Sequence, residues 1–418
     1  MISHVERELP YICNLVVCTH KYNNLHSYPK VCMVTFRIET EIFSPATHVM
    51  IAHNTQTNQP ACLKMWLPCD NGVYYTTDLK KCNDYFMEGL NFNRRFAPHI
   101  YKGLARFIER NDVKREVKFG RLITKPRRHQ LKDDCQYALI MNRLDESARL
   151  DYHLDHSRIG NARGMEFLAE AIADMHKCLD QSPTNMGTPI SLSEKLHFNR
   201  QKFMEALQIV RKKKEFAAFK RRIGRKGLLR LTSTGESLER LAEIYKHLFE
   251  HRHQAKKIYR CHGDLKATNL WLYRTPDSMQ DQLLCLDCVD FQPKFCHIDA
   301  LSDVAMIAID LEMYFAHPLD SSKSRPESYK LVQYFLYTYL HFANESEAVW
   351  PLLEYYLTEK AMVCAYTCIL FEEQPLLGEH YLDVVLAHAK KLEYYLPVQY
   401  KTKLERNPSM GHTIAINS

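Results

Sequence analysis

Glycine is scarce in this chain: there are 13 in 418 residues, and none before Gly72. That is about half the usual share of roughly 7%, so few tight turns and much helix are expected. No apolar run reaches the about eighteen residues a membrane-crossing helix needs. The opening Met1-Ile2-Ser3-His4-Val5-Glu6-Arg7-Glu8-Leu9-Pro10 lacks the basic-then-apolar order of a secretory signal. No internal repeat of about 20 to 50 residues is apparent. The 14 cysteines lack the spacing of a small disulfide scaffold, which favours reduced, buried thiols. These absences together lead us to expect a soluble, cytoplasmic protein.

What is present is ordinary in bulk and uneven in detail. Hydrophobic residues make up 46% and charged residues 25%, as in globular proteins generally. A chain of 418 residues exceeds one ordinary core, so two lobes are expected. The net charge of +7 is concentrated between Arg211 and Arg230, where ten cations face the single Glu215 and leave the remainder slightly acidic. Such a run is either a solvated helix face or a site for an anionic partner. Nucleic acid is not the expected partner.

The chain is organised around Cys261-His262-Gly263-Asp264-Leu265-Lys266-Ala267-Thr268-Asn269 and the later Leu286-Asp287-Cys288-Val289-Asp290-Phe291. Asp264 and Asn269 match the Asp and Asn of the kinase pattern H-R-D-L-x-x-x-N, with Gly263 in place of Arg. The spacing serves phosphoryl transfer. One carboxylate, Asp264, takes or orients the proton of an attacking hydroxyl. The amide of Asn269 and the carboxylate of Asp287 hold the Mg2+ that bridges the phosphates of ATP.

Upstream, Val31 to Ile38, Thr47 to His53 and Pro60 to Trp66 read as strands of an antiparallel sheet. Ala61-Cys62-Leu63-Lys64 has the form of the V-A-I-K strand, which makes Lys64 the candidate nucleotide lysine. The phosphate-covering loop would span 39–49 and has no glycine, so the hydroxyls of Ser44 and Thr47 are expected to substitute. Asn83 to Ala97 reads as a helix capped by Asn83 or Asp84 and ending before Pro98, with Glu88 the acid available to Lys64. Tyr137 to Met141 is a short apolar strand leading to a hinge at Met141 to Leu144, where backbone groups would meet the adenine edge.

From Arg149 onward the periodicity is helical. One helix runs through Phe167, Ala171 and Met175; another, through Leu238 to Phe249, is expected to start near Thr234 or Ser237. Four more follow, near Ser302 to Phe315, Glu327 to Phe342, Ala348 to Phe371 and Gly378 to Tyr395. A hairpin from Asn269 to Tyr273 and Leu283 to Phe291, turning at Arg274 to Ser278, would bring Asn269 and Asp287 together. Cys285, Cys288 and Cys296 beside His297 can be drawn as a zinc site, but a closed site needs four converging ligands, and small inward-facing residues are the favoured reading.

With these motifs, and Ile298-Asp299-Ala300-Leu301-Ser302-Asp303-Val304-Ala305 after them, the chain resembles the aminoglycoside phosphotransferase family over roughly residues 31–375. The likeness is to a bacterial branch that also carries the segment seen here as Asn93-Arg94-Arg95-Phe96-Ala97-Pro98-His99-Ile100-Tyr101. The resemblance implies an α+β, bilobal protein-kinase-like fold with a small antiparallel-sheet N-lobe and a larger, mainly helical C-lobe. It makes Asp264 the base, Asn269 and Asp287 the magnesium ligands, Lys64 the nucleotide lysine and Asp303 a structural brace. His262 is expected to be an internal hydrogen-bonding residue.

The departures are informative. The helix acid of relatives falls at Gly89, one residue past Glu88. Of three basic positions in a late helix, Lys360-Ala361-Met362-Val363-Cys364-Ala365-Tyr366 keeps only the first. Lys266 stands where relatives often have His and many protein kinases have a Lys that contacts the transferring phosphoryl group. The expected organisation is an N-lobe over 1–144, a C-lobe over 145–400 and a polar tail over 401–418. The expected activity is ATP- and Mg2+-dependent transfer to a hydroxyl of a small molecule, since only about fifteen residues separate Asp287 from the helix near Ser302. A protein Ser/Thr kinase and a nucleotide-binding pseudokinase acting as an interaction module are the alternatives.

Overall fold

Alternating apolar residues build the first half of the molecule. The computed structural model describes residues 33–156, 159–274, 281–316 and 328–397. Six strands, β1 (Val34–Phe43), β2 (Thr47–Asn54), β3 (Pro60–Trp66), β4 (Tyr101–Asn111), β5 (Glu116–Phe119) and β6 (Tyr137–Asn142), form an antiparallel sheet. The sheet closes into a barrel in the order β1-β2-β3-β6-β4-β5, with β5 pairing back to β1. Phe36, Ile38, Met50, Ala52, Leu63, Met65, Phe119 and Ile140 fill its interior. The strand period of two then turns Lys64 and Trp66 to the opposite face, away from Leu63 and Met65.

Helix α1 (Leu79–Phe96) lies between β3 and β4 in sequence and packs through Phe86 and Leu90 against Trp66, Leu104 and Leu139. It begins four residues earlier than the sequence suggested. The Asp78 carboxylate accepts the Lys80 and Lys81 N–H groups and is the cap. Asn83 is instead buried, donating to the Lys132 and Cys135 carbonyls. Strands β4 and β5 were not legible beforehand. In Tyr-Lys-Gly-Leu-Ala-Arg-Phe-Ile-Glu-Arg-Asn the alternation is broken by consecutive buried residues, and Glu-Val-Lys-Phe alternates over only four residues.

The second half is helical. After short α2 (Leu150–Asp155) come α3 (Ala162–Lys177), α4 (Pro189–Lys212), α5 (Ala217–Ile244) and α6 (Lys246–Gln254). Helix α5 bends at Gly224, whose φ of 62° suits glycine. Thr234 and Ser237 lie inside this helix rather than at a start, and the Thr234 hydroxyl donates back to the Arg230 carbonyl. Strands β7 (Ile258–Arg260), β8 (Leu270–Tyr273) and β9 (Gln282–Cys285) frame the central loop. Then follow short α7 (Pro293–Cys296), β10 (His297–Asp299), which pairs with β7, and α8 (Ala300–Ala316), α9 (Ser328–Phe342), α10 (Trp350–Leu370) and α11 (Pro375–Tyr395). Helix α8 is buried almost all round, as befits the middle of a bundle. The turn residues 275–278 of the β8–β9 hairpin and the tail 401–418 lie outside the described residues.

This is the bilobal, protein-kinase-like α+β architecture that the motif order led us to expect. No described helix is long and apolar enough to cross a membrane. The basic run from Arg211 to Arg230 straddles the α4–α5 connection and is partly used internally. Arg222 pairs with Asp383, Arg230 with Glu393, and Lys220 donates to the Arg211 and Lys213 carbonyls.

Helix α6 is tied to the bundle by buried charge. Arg252 donates to Asp299 Oδ1 at 2.6 Å, just before α8, and to Glu345 Oε2 at 2.7 Å, just after α9. Substituting Arg252→Met leaves buried Asp299 without its counter-charge, while Lys257 stays on Glu345 at 3.1 Å, and should cost about 3–5 kcal/mol in equilibrium urea unfolding; a change below 1 kcal/mol would show that the network is not cohesive.

Candidate active site

The loop after β7 must hold Asp264 outward from a buried backbone. Gly263 has φ +86°, and a Cβ there would lie 2.7 Å from the Phe295 carbonyl oxygen. Both facts demand glycine, where the protein-kinase pattern has Arg. The neighbouring His262 ring is fully buried. Its Nε2 lies 2.8 Å from the Leu286 carbonyl and its Nδ1 3.3 Å from the Asp264 N–H, so donation by the first and acceptance by the second fit a neutral imidazole. His262 is thus an internal strut.

Asp303, in the first turn of α8, holds this loop from beneath. Its oxygens accept the His262 and Gly263 N–H groups, each at 2.9 Å, and His176 Nε2 lies 3.3 Å away. Burial would raise this carboxyl, but the His176 hydrogen bond and charge and the Gly263 N–H bring it down to about 2. The cap of α8 falls elsewhere: Asp299 Oδ1 accepts the Leu301 N–H.

Beyond the loop, Asn269 donates through Nδ2 to the Asp264 carbonyl at 2.9 Å and to Asp264 Oδ2 at 3.2 Å. This use of the amide nitrogen leaves its oxygen as an acceptor. The backbone of Asn269 also accepts the Leu286 N–H at 2.9 Å, which brings the two motifs side by side. Asp287 itself has φ +60°, a left-handed conformation rare outside glycine, and the Tyr101 hydroxyl receives its N–H at 2.9 Å.

Lys64, Asp264, Lys266 and Asp287 line one cavity of about 300 Å³ that runs from the sheet to α4 and α10. Lys64 donates to Asp287 Oδ1. Burial would lower the lysine, but Asp287 and then Asp290 hold it above its ordinary range. Lys266 Nζ lies 3.4 Å from Asp264 Oδ1, and that carboxylate likewise overrides the burial that would depress the ammonium. Ser44 and Thr47 also line the cavity. Their hydroxyls lie 2.7 Å apart, and Ser44 Oγ accepts the Thr47 N–H at 3.0 Å. The β1–β2 turn therefore closes through hydroxyls, without glycine.

Three expected residues do not line the cavity: Asn269, which is hydrogen-bonded to Asp264 beside it, Glu88 and Met141. Glu88 pairs with Arg260 at 3.1 Å, and Arg260 in turn covers the Phe92 ring. Met141 lies on β6 between Cys62 and Tyr101 and does not line it. The reason for Glu88 is geometric, because neighbouring helical positions point about 100° apart. The next position, Gly89, lies against Asp290. A Cβ on Gly89 would fall 2.3 Å from Asp290 Oδ2. Asp290, which sequence reasoning passed over, therefore occupies the space a helix acid would need. Burial first, then Asp287 and Glu88, raise its carboxyl to about 7, against the lowering charges of Lys64 and Arg260. The signals were a glycine inside a helix and a second acid three residues after Asp287.

The cysteines of the drawn zinc site do not converge. Cys285 Sγ meets Met175 Sδ, Cys288 accepts from Asn93, and Cys296 Sγ faces the Gln292 and Pro293 carbonyls. Glu88, Cys296 and His297 do come within reach of one another, but Glu88 is already paired with Arg260 and burial raises the Cys296 thiol to about 12.

No family model matches the chain, and neither does any curated protein. Among solved structures, an ethanolamine kinase of Plasmodium vivax shares 11% identity over 88% of this chain and 84% of its own, with a TM-score of 0.43. A choline kinase of Cryptosporidium parvum shares 13% over 88% and 91%, at 0.41. A microcompartment-associated aminopropanol kinase shares 11% over 87% and 93%, at 0.45. Likeness this distant bears on neither site nor acceptor, which rest on the geometry above.

Two outcomes follow from the buried acids. Gly89→Ala should destabilise by about 1–3 kcal/mol through overpacking, and most of that cost should vanish in the Gly89→Ala, Asp290→Ala double variant; additive costs would mean the two do not compete for space. Because the folded-state pKa of Asp290 is raised, its contribution to stability is lost as pH rises through about 7. Asp290→Asn should therefore raise Tm more at pH 8 than at pH 5, and an equal gain at both would contradict the raised carboxyl.

Proposed function

We propose that this chain is a phosphotransferase of the aminoglycoside phosphotransferase-like kinases, moving the γ-phosphoryl group of ATP to a hydroxyl of a small molecule. The observation that carries the proposal is the convergence of Asp264, Lys266, Asp287 and Lys64 on one cavity, with Asn269 hydrogen-bonded to Asp264. In this reading the acceptor oxygen forms a bond to the γ-phosphorus as the bond to the bridging oxygen of ADP breaks. The acceptor proton passes to an Asp264 carboxylate oxygen. Lys266, 3.4 Å from that carboxylate, stabilises negative charge on the equatorial phosphoryl oxygens. Lys64 and the Ser44–Thr47 turn face the phosphates from the sheet.

The donor set fits a hard divalent cation. Asp287 offers a carboxylate and Asn269 an amide oxygen left free by its nitrogen's bonds to Asp264. Mg2+ bound there would neutralise charge across the phosphate oxygens. Lys64 supplies a counter-charge to Asp287.

One observation favours a second reading, a nucleotide-binding module without turnover. Lys64 is paired with Asp287 itself, and Glu88 is engaged by Arg260. A single set of measurements separates the two readings. With Mg2+, ATP should raise Tm of the wild-type chain, and Asp287→Ala should abolish the rise. Acceptor-dependent ADP release should fall by about 10²–10⁴-fold in Asp264→Ala. Nucleotide binding without turnover on any hydroxyl panel selects the module, and unchanged turnover in Asp264→Ala refutes the base.

A further inference from the structure

The far end of the same cavity, away from Lys64, is built from α4 and α10 and carries more positive charge than its own structure neutralises. Lys195 and Asn199 of α4 face Lys360 and Tyr366 of α10 across it, with Phe371 and the exposed Glu372 also lining the cavity. Glu359, fully buried behind them, is fully committed. It accepts Lys195 Nζ at 3.1 Å and Asn199 Nδ2 at 2.9 Å, while Asn199 Oδ1 receives the Tyr366 hydroxyl at 3.0 Å. Lys360 is only 5% exposed, lines the cavity, and makes no ion pair or hydrogen bond with any described residue. Two ammonium groups thus stand at this end of the cavity, and the one carboxylate behind them is committed to Lys195. Burial lowers the Lys195 ammonium against the pull of Glu359, and the Lys360 charge lowers it further.

A buried cation without a partner is costly, and a cavity-facing one is satisfied when a ligand brings the anion. We infer that Lys360, with Lys195 beside it, forms an anion subsite, so that the acceptor is a hydroxyl compound bearing a phosphate or carboxylate group. The inference rests on the phosphotransferase reading for what the acceptor becomes, but not for what binds. An amine-bearing alcohol would place a second cation against Lys360, and a neutral polyol would leave it unpaired. Glu372, which also lines the cavity, accepts the Cys368 thiol at 3.5 Å and forms no ion pair with Lys360.

Binding can be measured without turnover. Calorimetric titration at constant ionic strength would compare glycerol 3-phosphate, glycerate, glycerol and ethanolamine, first with the chain alone and then with magnesium and a non-hydrolysable ATP analogue present. Glycerol 3-phosphate or glycerate should bind at least tenfold more tightly than glycerol or ethanolamine. The preference should persist with the analogue bound, and Lys360→Gln should weaken anion binding about tenfold while Lys226→Gln, on the exposed part of α5, does not. Preference for ethanolamine, equal binding of all four, no anion binding to the wild-type chain, or anion binding unchanged in Lys360→Gln overturns the inference. The wild-type series decides alone if Lys360→Gln does not fold. Failure of the phosphotransferase reading looks different: anions bind through Lys360, yet no acceptor in the panel yields ADP.

Discussion

One buried carboxylate carries the geometry on which the site depends. Asp303 points from the first turn of α8 into the backbone of the His262–Gly263 segment and accepts both N–H groups. A carboxylate can do this only if its charge is tolerated in the interior, and His176 together with the two N–H donors supplies that tolerance. The consequence reaches outward. Gly263 is fixed at a positive φ, His262 ties the loop to the Leu286 carbonyl, and Asp264 emerges at the cavity with Asn269 hydrogen-bonded to it. Helix α8, buried almost all round, makes this anchor rigid.

Charge around Lys64 forms the second layer. Three acids, Asp287, Asp290 and Glu88, lie near the junction of the lobes, and two cations, Lys64 and Arg260, divide them. Arg260 takes Glu88 and stacks on Phe92, so Glu88 serves the seam between α1 and β7. Lys64 takes Asp287, with Asp290 close behind. The acid expected on α1 is thus replaced in space by Asp290, three residues after Asp287, and Gly89 is the clearance that makes room for it.

Much of this was legible in the linear chain. The order of motifs, the strand bearing Lys64, the loop around Asp264 and the late helices were readable because each rests on local spacing: period two in strands, three-and-four in helices, and five residues between Asp264 and Asn269. The start of α1 was misplaced because the polar residues at Asn83 and Asp84 resemble a cap, whereas Asp78 supplies it. The beginning of α5 was hidden in the same way by Thr234 and Ser237, whose hydroxyls are compatible with a helix interior once Thr234 bonds back one turn.

What the sequence determined by itself was which groups exist and which are near in chain order: the carboxylates of Asp264, Asp287 and Glu88, the amide of Asn269, and a lysine on a strand. Only the tertiary structure decided which acid faces which cation. Pairing depends on helix rotation and on packing between elements far apart in the chain, and a one-residue offset on α1 turns Glu88 to Arg260 and leaves the space beside Gly89 to Asp290. The same holds at the far end of the cavity, where Lys195 and Lys360, 165 positions apart in the chain, come together because α4 packs on α10.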